Sequence, residues 1–418
     1  MSNPNAAYKV RAVHCDYRAS EDEVYEAIKR ATDPLTDTWE RLRRAKRIGI
    51  KFNQDKEPKN RVYYEGQLQQ LVSEKFARAF LRLLRERTDA HLVAPDVSFY
   101  SMYHPGVTVE QTNTFAELFR EFGVEYVDGT KPPYKVVKVP GGGLMFQEYV
   151  LPAGAVEVDE FISVQKMKNH AFMGVTLTLK NLFGLMPGEP EGHTRTYFHH
   201  LVRMPYMLAD LGRIFNPVLN LIDGMVGQAG REWGNGLDEG PAQVANTIVA
   251  GNHTIATDAC TAYLMGHDPQ SDWLTPPFHR DRNSLLVAAE SGFGTVNLNE
   301  IDFQAEVQAP VGQFYAALTD PREINVSWRK TTAEQALYYL DNQRKLVDKF
   351  AGEYILLQEG EVRWHDPVSD LRESRRVLAG NKPEQAMWLK YVDPNEEEGE
   401  KFSVYDHALQ QVKAIGAV

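Results

Sequence analysis

Within the stretch ISVQKMKNHAFMGVTLTLKNLFGLMPG, residues 162–188, Lys166, Lys168, His170, Lys180 and Asn181 stand among apolar neighbours, and the stretch closes on Gly184 and Gly188. An ammonium group in apolar surroundings loses its hydration, so it needs a counter-charge or a lowered pKa. In the first state a lysine cluster holds a carboxylate or phosphate. In the second, a neutral lysine is a base or a Schiff-base nucleophile. The competing role is a lysine that reaches solvent along its aliphatic stem. His170 follows a strand end and is a candidate acid–base residue or metal ligand. The segment GHTRTYFHH, residues 192–200, adds His193, His199 and His200. Adjacent histidines on a regular element face different ways, so at most one of His199 and His200 is expected to point inward.

Further candidates lie at strand ends. Asp223 follows the apolar run VLNLI and opens a glycine-rich segment, with Gly224, Gly227, Gly230, Gly234, Gly236 and Gly240 after it. In α/β folds ligands bind beyond the carboxyl ends of strands, which makes Asp223 a catalytic candidate, although an aspartate there can equally shape a turn. Lys51 and Asn53 end the run IGIKFNQ, so the same topological argument applies to them. Arg231 is the arginine of the glycine-rich segment and a candidate oxyanion clamp. Asp258 falls early in a helix that Thr254 is placed to cap, where a carboxylate also complements the helix dipole. No H-E-x-x-H or H-x-H pattern marks a metal site.

The elements needed to position these residues follow from periodicity. Runs at 48–52, 162–166, 218–222 and 247–250 are nearly all apolar, as strands buried on both faces require, and all four are expected inside one sheet. Helical spacing at 21–31, 38–47 and 67–87 alternates with strand candidates HLVAPD, VEYVD, YKVVKVP and EFISVQK. That alternation predicts an α/β fold with a mostly parallel sheet flanked by helices. A boundary is expected between 305 and 330, dividing a core over 1–310 from a small α/β appendage over 331–418. The appendage reads as helix 331–350, a hairpin over 353–366 turning at Glu359–Gly360, a second helix, the strand WLKYV and an acidic run. With an independent pattern and a less apolar linker, it is expected to be separable by proteolysis.

The totals restrict the function classes. The chain has 418 residues, 43% hydrophobic and 25% charged, with a formal charge of −11. Nucleic acid and anionic membranes attract basic surfaces and are not expected as partners. A basic pocket can still exist inside an acidic exterior. Two cysteines, Cys15 and Cys260, are too few for a disulfide framework or a self-contained iron–sulfur cluster. The first 20 residues carry no apolar signal core, and no run of about 18 apolar residues is present. A cytoplasmic location is expected.

The segments IGIKFNQ, SVQKMKNH, TLTLKNLFGLMPG, RTYFHHL, LNLIDGMVGQAG and IVAGNHTIATDACTAYLMG, in that order, resemble the successive blocks of the DUF362 family, a domain of unknown function. On this resemblance Lys51 and Asn53 fill a Lys-x-Asn block. Lys168, Asn169 and His170 fill a Lys-x-x-His block with the spacing shortened from three to two. Thr176, Lys180, Asn181 and Gly184 fill the Thr-x-x-x-Lys-Asn-x-x-Gly block. Arg195 and His199 stand where a lysine and a histidine are usual, and Asp223, Gly224 and Asp258 complete the pattern. The resemblance spans about residues 45–300, and the tail is similar to a small companion domain. Many members carry a ferredoxin-like cysteine module, which implies redox work for some of them. This chain has no such module.

The sequence therefore predicts an enzyme that acts on a small anionic molecule, a carboxylate or a phosphate, by acid–base chemistry. Lys51, Lys168, Asn53, Asn181 and Arg231 would bind it, and His170, His199, Lys180, Asp223 and Asp258 would act on it. The alternatives are a metal-dependent hydrolase or lyase using His170, His199, Asp223 and Asp258, and a non-catalytic binding or assembly protein. No cofactor is named by the sequence, the leading reading assigns no metal ligand, and a homo-oligomer is a possible state.

Overall fold

The structure, a computed structural model, describes residues 7–104, 106–188, 193, 195–233, 240–367 and 387–416. Its centre is a nine-stranded sheet formed by β1 (Tyr8–His14), β2 (Arg47–Phe52), β3 (His91–Asp96), β4 (Val124–Asp128), β5 (Glu160–His170), β6 (Gly174–Thr176), β7 (Leu219–Gln228), β8 (Ala242–Gly251) and β9 (Ile301–Ala305). The spatial order is β9-β1-β8-β7-β5-β2-β3-β4, with β6 folded back on β5. Pairing is parallel from β7 through β5, β2 and β3 to β4, and antiparallel where β8 meets β7 and β1. The four apolar runs expected inside one sheet form its four middle strands, β8, β7, β5 and β2.

Helices cover the sheet. α1 (Glu21–Thr32) opens on a capping box between Ser20 and Glu23, and packs with α2 (Glu74–Arg87) over Ile48, Ile50, Ile162 and Leu219. Other elements are α3 (Thr178–Asn181), α4 (Arg195–Phe198), α5 (Arg203–Phe215) and α6 (Thr254–Leu264). Three expectations shift. The strand after Val218 does not stop at Ile222 but runs to Gln228, so Asp223, Gly224 and Gly227 are strand residues; Gly234 and Gly236 lie outside the described residues. The cap of α6 is His253, whose Nδ1 accepts from Ile255 N at 3.3 Å, with Thr254 as the first helical residue. Asp258 consequently falls in the second turn of α6.

The tail begins with α7 (Arg322–Phe350), which starts inside the expected linker. The antiparallel strands β10 (Tyr354–Gln358), β11 (Glu361–Asp366) and β12 (Trp388–Tyr391) follow, with the hairpin at Glu359–Gly360, and then α8 (Ser403–Gly416). The second helix expected before WLKYV lies outside the described residues. The tail packs against the core without a break. Met204 and Met207 of α5 share one buried cluster with Tyr339, Ile355, Leu357, Trp388 and Tyr405. Among the described residues no helix is long and apolar enough to cross a membrane.

Candidate functional site

The carboxyl ends of β2, β3 and β5 open into a cavity of about 760 Å³. This is where a parallel sheet presents side chains and loop backbone to a ligand. Lys51, Asn53, Lys168, His170, Lys180, Asn181 and His199 all line it. In the sequence these seven stand on separate blocks, and the fold brings them to one concavity.

Lys51, the penultimate residue of β2, is buried and pairs with Asp96 Oδ1 at 3.0 Å, and its Nζ donates to Phe52 O at 2.6 Å. Space for it depends on Gly184, since a Cβ there would sit 2.6 Å from Lys51 Cε. Asn181 donates its amide to Lys51 O, Ser163 Oγ and Val164 O at 2.9, 3.0 and 3.2 Å. It thus ties the Lys180 turn to β2 and β5, and the motif Lys-Asn-x-x-Gly acts as one device for holding two lysines. Asn53 Oδ1 and Thr176 Oγ1 are buried without a hydrogen-bond partner among the described residues, and both residues line the cavity.

Among the described residues Lys168 and Lys180 have no carboxylate partner in an ion pair. Lys168 donates to Gln70 O at 2.9 Å and lies 4.5 Å from the centre of the Trp233 ring. Lys56 lies 4.5 Å from the same centre and donates to Gln70 Oε1 at 2.6 Å. Lys180 makes no hydrogen bond or ion pair among the described residues; its ammonium rests 4.7 Å from the Phe183 ring centre. Burial, reinforced by nearby cations, brings Lys168 and Lys180 each down to about 7, and burial brings Lys56 to about 8.

His170 ends β5. Its Nδ1 accepts from Phe172 N at 3.1 Å and Met173 N at 3.2 Å. Those two donors occupy the Nδ1 lone pair, so the ring proton sits on Nε2. The 3.5 Å approach of Glu232 Oε2 to Nδ1 is therefore a contact of a neutral ring and not an ion pair. Burial, then Lys180 and Lys168, hold His170 well below the usual histidine range. Burial and Lys180 do the same to His199, whose ring lies 4.9 Å from that of Phe172, tilted by 32°.

Several lining residues were not singled out from the sequence. Asp96 pairs with Lys51, and burial next to Asp96 lifts Asp55 to about 6. Arg195, noted only for its place in the family pattern, lies 4.9 Å from the Phe183 ring centre. Arg280 is held between Phe172 and Trp328, 5.1 and 5.0 Å from their ring centres. Its nearest carboxylate is Asp320 at 3.8 Å, and its buried Nε has no partner among the described residues. Glu232 and Trp233 complete the wall. The alternation of buried lysines was the signal available in β5; residues such as Arg280 and Trp328 come from distant irregular or helical segments and carry no local pattern.

Asp223, Asp258 and Arg231 are not among the lining residues. Asp223 stands beside Lys166 in the parallel register of β7 and β5, and its Oδ2 accepts from Lys166 Nζ and Ser73 N, each at 2.8 Å. Asp258 does not interact with the start of its own helix. Its carboxylate accepts from Thr178 N, Thr178 Oγ1 and Leu179 N at 2.9, 2.6 and 2.8 Å, fixing the start of α3, and burial lifts it to about 7. Arg231 is solvent-exposed. The carboxylates that act on the lining lysines are Asp96 and Glu232. Among the described residues no group of three or more His, Cys, Asp or Glu side chains is placed to hold a metal ion, so His170, His199, Asp223 and Asp258 do not form one donor set.

The chain is 26% identical over 129 residues to the thylakoid-associated protein sll1697 of Synechocystis sp., a match that covers 30% of this chain and 38% of that protein. The chain thus spans well under half the length of this curated relative. It is similar in structure to the lactate racemase apoprotein of Thermoanaerobacterium thermosaccharolyticum, at 13% identity and a TM-score of 0.33, over 63% of this chain and 59% of that one. The model of the domain of unknown function DUF362 matches residues 51–263, half of the chain, and includes all the lining blocks from Lys51 to Trp233. The chain is a member of the DUF362 family.

Proposed function

We propose that this protein is an enzyme acting on a small anionic molecule, bearing a carboxylate or phosphate, by proton transfer in the cavity at the ends of β2, β3 and β5. The observation that carries the reading is Lys180: a cavity-lining ammonium without a polar partner among the described residues, beside Arg195 and Lys51. Lys180 is half-buried, and a partly desolvated cation without a counter-charge gains from a ligand that supplies one. Lys180, Lys168 and Arg280 hold the anion. His170 donates from Nε2–H, because its Nδ1 is occupied. His199, which burial and Lys180 keep neutral, accepts the proton.

Lys180→Met tests this reading. A charge-assisted hydrogen bond contributes about 1.5–3 kcal/mol, so the affinity for sulfate or phosphate should fall about tenfold or more by isothermal titration calorimetry. The melting temperature should hardly move, since methionine keeps the stem and removes a half-buried charge that has no ion-pair partner among the described residues. Unchanged anion affinity in the variant would sink the proposal.

The pH dependence has a definite sign. Lys180 titrates at about 7 in the empty cavity, and an anion bound to it raises that value. Below about pH 7 it is already charged and binding is tightest. Above it the lysine must take up a proton on binding, so affinity falls by up to about tenfold per pH unit until the bound-state value is reached. Sulfate is the suitable probe because it does not titrate near neutrality. A flat affinity profile between about pH 6.5 and 9 would show that Lys180 does not meet the anion.

A further inference from the structure

We infer that the ligand of this cavity carries two separate anionic groups on an apolar body, with at least one hydrogen-bond donor between them. This rests on the anion-site reading above and narrows the substrate class. First, the cations form two groups on different elements. Lys180 and Arg195 share the Phe183 ring at 4.7 and 4.9 Å, and Lys168 and Lys56 share the Trp233 ring at 4.5 Å each. Among charged neighbours Arg195 lowers Lys180 most and Lys56 lowers Lys168 most, in keeping with the rings each pair shares, and Glu232 acts on both lysines with the opposite sign.

Second, Lys168 and Lys180, one from each group, have no carboxylate partner among the described residues, whereas Lys51 pairs with Asp96 at 3.0 Å and Arg280 approaches Asp320 at 3.8 Å. Third, about 760 Å³ lies well within the range of pockets that enclose drug-sized ligands and far exceeds what a bare sulfate or acetate fills. The walls include rings, among them Phe99, Tyr100, Phe183, Trp233 and Trp328. An apolar ligand body is what such walls accept, and the rings leave the charges to be met at the ends. Fourth, Asn53 Oδ1 is an acceptor without a partner among the described residues, and Thr176 Oγ1 is likewise unpartnered. An acceptor calls for a hydroxyl or N–H on the ligand.

The test uses calorimetric titration of the full chain at pH 7 with four probes: inorganic phosphate, phenyl phosphate, 4-carboxyphenyl phosphate and 4-carboxy-2-hydroxyphenyl phosphate. The expected order is rising affinity along the series, with the carboxylate adding about tenfold or more. Lys168→Met should bring both carboxylated probes back to the phenyl phosphate level, whereas Lys180→Met should weaken all four. Trp233→Leu serves where Lys168→Met does not fold, and should lower the carboxylated probes selectively. If inorganic phosphate binds as tightly as the carboxylated probes and Lys168→Met changes nothing, the two-anion inference is overturned while the anion site stands. If no probe binds and Lys180→Met is silent, both readings fall.

Discussion

Removal of residues 331–418 should leave a chain that does not fold. The sequence suggests a separable appendage, but the tail is joined to the core through buried charge. Arg203, at the start of α5, is fully buried; its Nη2 donates to Glu400 Oε1 at 2.7 Å and to Leu389 O at 3.0 Å. Glu400 also faces Lys390, and Arg203 with Lys390 holds its carboxyl down at about 2 despite burial. Truncation removes Glu400, Lys390 and Leu389 together and leaves Arg203 with the Tyr197 carbonyl as its core hydrogen-bond partner among the described residues. His200 Nε2 loses the Leu389 N–H that it accepts, and the α5 face that packs on Tyr339, Leu357 and Trp388 is exposed. Each large apolar side chain left open to water costs a further 1.5–3 kcal/mol or so, roughly. Against a total stability of about 5–15 kcal/mol, the sum is enough to unfold the core. The expected product is an aggregated chain without a cooperative melt by circular dichroism. A soluble 1–330 fragment with a sharp transition would show instead that the tail is an independent unit. The linker argues the same way, since Tyr315 O accepts from Gly230 N and Ala317 N donates to Gly230 O, pinning it to the core.

The sheet was legible in the sequence because its middle strands are buried on both faces and read as continuous apolar runs. The glycine-rich segment after Asp223 was not. Its glycines suggest a ligand loop, yet Gly224 sits in β7, where a Cβ would come 2.6 Å from Met167 Cε and 2.7 Å from Thr247 O. Strand packing demands a missing side chain there, and the sequence cannot distinguish that demand from the approach of a ligand. The lysines show the same division. Lys166 and Lys168 are two apart on β5 and look equivalent, but Lys166 meets Asp223 on the neighbouring strand while Lys168 meets a backbone carbonyl and the Trp233 ring. Which lysine faces a cavity depends on strand register, which is a property of the neighbour. Arg280 and Trp328 lie more than 90 residues beyond Lys180 and were invisible for that reason.

Asp223→Asn should be the most destabilising single change among the residues singled out from the sequence. Lys166 and Asp223 are both almost wholly buried, and the substitution leaves the lysine with a neutral partner of the same shape. Breaking such a pair costs about 3–5 kcal/mol. Burial already lowers Lys166, with Asp223 as the main opposing influence, so in the variant the lysine escapes by shedding its proton. From an unfolded value near 10.4, that escape costs about 1.4 kcal/mol for each pH unit below it, or about 4–5 kcal/mol at pH 7. The folded variant then binds fewer protons than its unfolded chain, so its stability rises with pH, and the deficit relative to the native protein should shrink by up to about 1.4 kcal/mol per unit between pH 7 and 9. Denaturant unfolding at the two pH values measures this. Pairing Lys166→Met with Asp223→Leu should recover most of the loss, because an apolar pair of similar volume avoids desolvating either charge. Sulfate affinity should stay near the native value in whatever fraction of Asp223→Asn is folded. An unchanged unfolding midpoint together with lost anion binding would place Asp223 in the chemistry, as its position after an apolar run first suggests, and would remove the ion pair from its role in holding β7 to β5.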